Sequence, residues 1–127
     1  MPAAVLGMAT PLDLTCVNVV ALLDTGATCS AISHGVISQL GLRPHEKRHL
    51  RVATEDRLVE YYFFRIGLFP DPGVNDPGNT ALPFVFAELD GFGMRNASEF
   101  DVIVGMDVLR QCDFRFDRGG NYTLSFG

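Results

Sequence analysis

The chain is short of positive charge. Ten Lys and Arg face fifteen Asp and Glu over 127 residues, which leaves a formal net charge of −5 and a sequence pI near 5.0. Beyond Lys47-Arg48 and Arg51 there is no basic footprint of the kind polyanion binders use, so no nucleic-acid partner is expected. Cysteine is also scarce. Cys16, Cys29 and Cys112 form an odd set without framework spacing, which predicts reduced thiols and a cytoplasmic setting. Residues 1–23 carry one charged side chain, Asp13, but have no Lys or Arg for a signal's basic region, and Pro2, Pro11 and Asn18 punctuate them. Neither a signal peptide nor a transmembrane segment is expected there. Repeats are missing too: Asp-Pro-Gly occurs at 71–73 and 76–78, a triplet too short to be a structural unit.

What is present suits one β-rich domain over residues 1–127. Hydrophobic residues make up 47% and charged residues 20%, enough apolar material for a core. Thirteen Gly and seven Pro fit a chain that turns often, and ten Phe and three Tyr favour strands. Residues 14–23 partly alternate and then run apolar, predicting a strand that stops at Asp24-Thr25-Gly26. Ser30 is placed to cap a short helix with Ile32, Val36, Ile37 and Leu40 at helical spacing, closed by Gly41. Residues 42–49 read as a polar connector, and strands near 50–54 and 58–69 as a hairpin with its tip at 54–57. Residues 70–79 read as a surface loop, 81–89 as a strand and 91–99 as a second loop. A strand over 100–104, a helical piece near 106–111 and a hairpin of 112–116 and 122–126 complete six or seven strands.

The sharpest chemical signal is Leu22-Leu23-Asp24-Thr25-Gly26-Ala27-Thr28. A carboxylate at the end of an apolar strand is costly to bury unless it is hydrogen-bonded or works as an acid or base. Glycine two residues on lets the backbone turn sharply and bring N–H groups to that carboxylate. About eighty residues later comes Asp101-Val102-Ile103-Val104-Gly105-Met106-Asp107-Val108-Leu109. With both motifs in this order and separation, the sequence from about residue 16 to 127 resembles the retropepsin-like aspartic proteases. The resemblance implies an all-β, closed barrel-like acid-protease fold with one or two short helices, forming a two-fold homodimer. In it the segment at 100–105 and the helix at 106–111 back the active-site loop, and Asp107 is a structural hydrogen-bonding carboxylate.

The departures from the viral pattern are informative. Viral members pair an Arg after the second motif's Gly with an Asp two residues after the first motif's Gly; here Met106 and Thr28 stand there. Both halves of the ion pair are missing together, which leaves no buried charge unpaired and resembles cellular and bacterial members. The flap tip, Thr54-Glu55-Asp56-Arg57, has no glycine, so it cannot repeat the viral tip's turns.

Acid-protease chemistry needs two carboxylates that share one proton, one acting as base toward water and the other as acid toward the scissile carbonyl. The chain has one Asp-Thr-Gly, and neither Asp90-Gly91 nor Asp117-Arg118-Gly119 has the preceding strand or the hydroxyl residue. A second chain is then required, which predicts a homodimer with the site on its axis. The resemblance assigns Asp24 as acid or base, Thr25 as a stiffener of the paired loops and Gly26 as a contact to carboxylate and substrate backbone. Ala27 falls in the pocket wall, and Thr54, Glu55 and Asp56 are the expected flap contacts. The expected activity is endopeptidase cleavage of peptide or protein substrates between apolar residues, with no cofactor. The alternative is a dimerisation or peptide-binding module of the same fold with little or no hydrolysis. His45-Glu46-Lys47-Arg48-His49 also satisfies a zinc-protease pattern. Its Lys, Arg and preceding Pro44 deny it the buried helix that chemistry needs, so a solvated basic turn and no metal are expected.

Overall fold

The structure is a computed structural model that describes residues 2–6, 16–52, 55–69, 83–94 and 99–127. Two long strands organise it. The first, β2 (Cys16–Leu23), follows β1 (Pro2–Leu6), and its burial alternates as the sequence does: Val17, Val19, Ala21 and Leu23 face inward, while Cys16, Asn18, Val20 and Leu22 are exposed. Its first part pairs antiparallel with β1, and its last three residues pair parallel with β8 (Val102–Val104). The second is β5 (Glu55–Leu68), fourteen residues long. It pairs with β4 (Glu46–Val52) through 55–61, with β7 (Leu89–Met94) through 61–64, and at its far end with β1 and with β6 (Phe84–Val85).

The strand order is β1-β2-β8-β3-β7-β5-β4, where β3 is Ala31–Ser33, and β6 hangs on β5. Because β2 and β5 each run from one group of partners to another, the sheet folds over on itself. Between its layers lie Ile32, Phe64, Ile66, Leu68, Val102, Val104 and Val108, all fully buried. The expected simple closed barrel is not found: β1 pairs with both β2 and β5, but among the described residues β4 and β6 each pair only with β5 and leave the sheet with free edges. The last two strands, β9 (Asp113–Phe116) and β10 (Tyr122–Ser125), form a separate two-stranded hairpin.

Two short helices interrupt the strands. The first, α1 (His34–Leu40), ends as expected at Gly41, whose φ of 64° is the left-handed conformation glycine tolerates. Its cap is Ser33, which accepts a hydrogen bond from the Val36 N–H (3.3 Å), and not Ser30, because residues 31–33 are already a strand. The second, α2 (Met106–Leu109), follows β8 directly.

Three further expectations are corrected. Residues 46–49 belong to β4 and are not a connector. An edge strand with mostly exposed faces carries no apolar alternation, so polarity there does not exclude a strand. Residues 91–94 continue β7 and do not open a loop. A Cβ on Gly91 would sit 2.4 Å from the Ser30 carbonyl oxygen and 2.7 Å from the Phe64 ring, so this glycine marks close packing. The ladder pairs Val52 with Glu55, so β5 begins three residues before the expected Leu58. The loop read over 70–79 lies outside the described residues.

Candidate active site

Asp24 stands where β2 ends. Its N–H donates to the Val104 carbonyl (2.9 Å), extending the β2–β8 ladder by one bond before the chain turns. The turn is held from within: the Gly26 N–H donates to Asp24 Oδ1 (2.9 Å), and the Ala27 N–H donates to the Asp24 carbonyl (3.2 Å). One carboxylate oxygen is thus fixed by a backbone donor while Asp24 stays partly exposed, with Thr25 and Gly26 open to solvent beside it. Of the residues read from sequence, Asp24, Thr25, Gly26 and Ala27 are brought together in this turn.

The expected flap contacts divide. Thr54 lies outside the described residues. Glu55 and Asp56 are exposed at the start of β5, at the end of the β4–β5 hairpin where Glu55 pairs with Val52 and Asp56 with Arg51. Glu55 contacts Arg57, with Oε2 3.0 Å from Nη2.

Behind the turn lies a link between the two motifs. The Ala27 carbonyl accepts from the Met106 N–H (2.8 Å). Ser30, fully buried, donates its hydroxyl to Asp107 Oδ1 (2.6 Å) and its N–H to Asp107 Oδ2 (2.8 Å), while its Oγ accepts from the Gly105 N–H (3.0 Å). Asp107 Oδ1 also accepts from the Val108 N–H (2.9 Å), so Asp107 is the structural carboxylate the resemblance implies. Gly105 permits the approach: a Cβ there would meet the Cys29 carbonyl group at 2.8 Å and the Ala27 oxygen at 2.9 Å. Sequence reading gave Ser30 only a capping role, because its partners lie 75 and 77 residues away. At the two positions where viral members carry an ion pair, Thr28 is exposed and Met106 packs against the core.

Cys29, half-buried, follows Thr28 in the same loop. Burial, and after it the charge of Asp107, raises its thiol above the ordinary range, so it is not a nucleophile poised for attack. All three cysteines are free.

The zinc-protease pattern meets no helix. Since β4 starts at Glu46, the four-residue spacing of His45 and His49 spans about 13 Å of extended chain, too far for one ion to join them. His45 instead stacks on Phe63 with centroids 3.8 Å apart and meets Asp90 Oδ1 through Nε2 at 2.7 Å. Arg48 binds Glu46 Oε2 (2.6 Å) and Asp90 Oδ2 (2.8 Å) and lies 4.5 Å from the Tyr61 ring centre. The Arg48 hydrogen bond holds the Glu46 carboxyl below its usual range. Among the described residues no group of three His, Cys, Asp or Glu side chains is placed to hold a metal ion. No helix is long and apolar enough to cross a membrane, again among the described residues.

Comparison with known proteins points to one family. The aspartyl protease family model matches residues 10–108. Among solved structures, a retropepsin-like aspartic protease from Rickettsia conorii is similar with a TM-score of 0.54 and 17% identity, over 89% of this chain and 74% of that one. The retroviral protease-like domain of Ddi1 from Leishmania major aligns over 85% of this chain and 79% of that one, with a TM-score of 0.47 and 18% identity. No curated protein matches.

Proposed function

The chain belongs to the aspartyl protease family and has the retropepsin-like fold, and from that premise we propose that it is an aspartic endopeptidase working as a two-fold homodimer. The observation that carries this reading is the Asp24 turn. A single carboxylate, fixed on one oxygen by the Gly26 N–H and open to solvent, is half of a catalytic pair, and the sequence holds no second copy.

Two Asp24 carboxylates brought together across a two-fold axis share one proton, because like charges at contact distance do not both stay ionised. The ionised member takes a proton from the water between them as that water attacks the scissile carbonyl. The protonated member gives its proton to the carbonyl oxygen as the tetrahedral intermediate forms. The Gly26 N–H keeps each carboxylate in place, so orientation is set before substrate arrives. Thr25, exposed at the turn, is positioned to brace its counterpart in the partner. A second support for association is the β9–β10 hairpin. Phe114, Phe116 and Tyr122 share one face of it and are 38%, 74% and 46% exposed, more aromatic surface than a monomer has reason to leave in water.

The test is cleavage of a diverse peptide pool between about pH 4 and 7, which brackets a singly protonated carboxylate pair, with wild type beside Asp24→Asn. Fragments from wild type alone support the endopeptidase. A folded, dimeric wild type that binds peptide and releases no fragments supports the binding-module alternative. A protein that stays monomeric at high concentration with a substrate analogue present overturns both.

A further inference from the structure

The face of the sheet that carries Asp24 has a second feature, whose role as a substrate subsite rests on the endopeptidase reading. Period two along β2 puts Val20 and Leu22 on the side opposite the core, and Asp24 comes next on that same side. Leu22 is paired in register with Ile103 of β8, and Asp101 lies two residues before Ile103, with its N–H donating to the Val20 carbonyl (3.2 Å). Leu22 and Ile103 therefore form one row, one side-chain spacing from Asp24, and Val20 and Asp101 form the next. Each row is about 6.6 Å further along the strands.

These side chains are open. Val20 is 55% and Leu22 37% exposed, Ile103 is partly exposed, and Asp101 is exposed. The contacts of Asp101 within the described residues run through its backbone: its carbonyl accepts from the Ser33 N–H (2.9 Å) and its N–H reaches Val20. The row beside the catalytic turn is thus an apolar floor that ends in a negative charge, with no hydrogen-bond or ion-pair partner for that carboxylate among the described residues.

We propose that this floor is a subsite for a long basic side chain, Lys or Arg, next to the scissile bond, and that Asp101 is its specificity-determining residue. An extended Lys or Arg side chain is about one row long. Its methylene stem lies on Leu22 and Ile103 while its charged head reaches Asp101, the arrangement that long basic side chains favour on an apolar surface with a wet rim. A purely apolar side chain covers the floor but leaves the carboxylate facing it, and an acidic one meets like charge. On one side of the cut this replaces the sequence-based expectation of apolar residues on both sides.

The test uses paired peptides that differ only by Lys or norleucine at each position near the cut, norleucine matching the stem without the charge. Binding is measured on the full-length Asp24→Asn protein, and cleavage on wild type. The Lys peptide is expected to be preferred roughly fivefold at low salt, the scale of a solvent-accessible ion pair, with the preference shrinking as salt rises. Adding Asp101→Asn brings the ratio near one, and Asp101→Lys reverses it in favour of a Glu peptide. A preference for norleucine, or a Lys preference that survives Asp101→Asn, overturns the assignment whether or not wild type cuts. Charge-selective binding without fragments from wild type keeps the subsite and overturns the endopeptidase. Binding of no peptide overturns both.

Discussion

Ser30→Ala removes one oxygen atom and two hydrogen bonds from a site with no exposure. The Gly105 N–H loses its acceptor at 3.0 Å, and an unpaired buried donor costs about 1–3 kcal/mol. Asp107 loses its 2.6 Å hydroxyl donor, a charge-assisted bond worth about 1.5–3 kcal/mol. Asp107 is partly exposed and keeps the N–H groups of Ser30 and Val108, so water recovers part of that second term. The net loss is about 3 kcal/mol. At an unfolding entropy of about 0.27 kcal/mol/K for a chain this long, the melting temperature falls by about 11 °C. Urea unfolding measures the free energy directly, and Asp107→Asn with the double variant completes a cycle. The two residues are expected to couple by more than about 1 kcal/mol, because the amide cannot accept at both positions. A loss under about 1 kcal/mol for Ser30→Ala, or additive effects, would refute the idea that this pair locks the turn to the second motif.

Packing and titration give two further expected outcomes. Gly91→Ala forces a methyl group against the Ser30 carbonyl and the Phe64 ring, so it is expected to cost more than about 3 kcal/mol and to lower the yield of folded protein, read by denaturant unfolding. The Tyr62 phenol is 3% exposed and donates to Glu60, and burial together with that bond pushes its pKa up to about 12. A group raised in the folded state contributes stability that is complete below its unfolded value, about 10, and is lost as pH rises toward 12. Wild type should therefore lose roughly 2 kcal/mol across that window, and Tyr62→Phe should show a flatter alkaline limb in pH-dependent denaturation. Equal slopes for the two proteins would remove Tyr62 from the account.

How much of the fold and site was legible depended on how locally each feature is encoded. The Asp24 turn needs only an apolar strand, a carboxylate and a glycine in sequence, and it forms where they stand. The end of α1 at Gly41 is likewise written in a few neighbouring residues. Ser30 was legible as a polar residue and no more, since its partners come 75 and 77 positions later and only the sheet brings them together. Strand β4 was hidden by its edge position, where solvent permits Glu, Lys, Arg and His in succession. Gly91 misled because glycine signals both a loop and a close approach, and what approaches is Ser30 from sixty-one residues earlier. Strand β1 was hidden because its five residues have no period of their own and are defined by pairing with both β2 and β5.

The bond from Ser30 to Asp107 sets a time as well as a place. During synthesis the Asp24 turn leaves the ribosome well before the groups that fix it, since Gly105 and Asp107 come 75 and 77 positions after Ser30. Contacts so distant in sequence form late, after the loop between them has closed. While the intervening segment is being made, the carboxylate therefore exists without the frame that aims it. On the endopeptidase reading proposed above, a nascent chain holds Asp24 in a harmless state, and hydrolytic competence would arrive together with the completed fold.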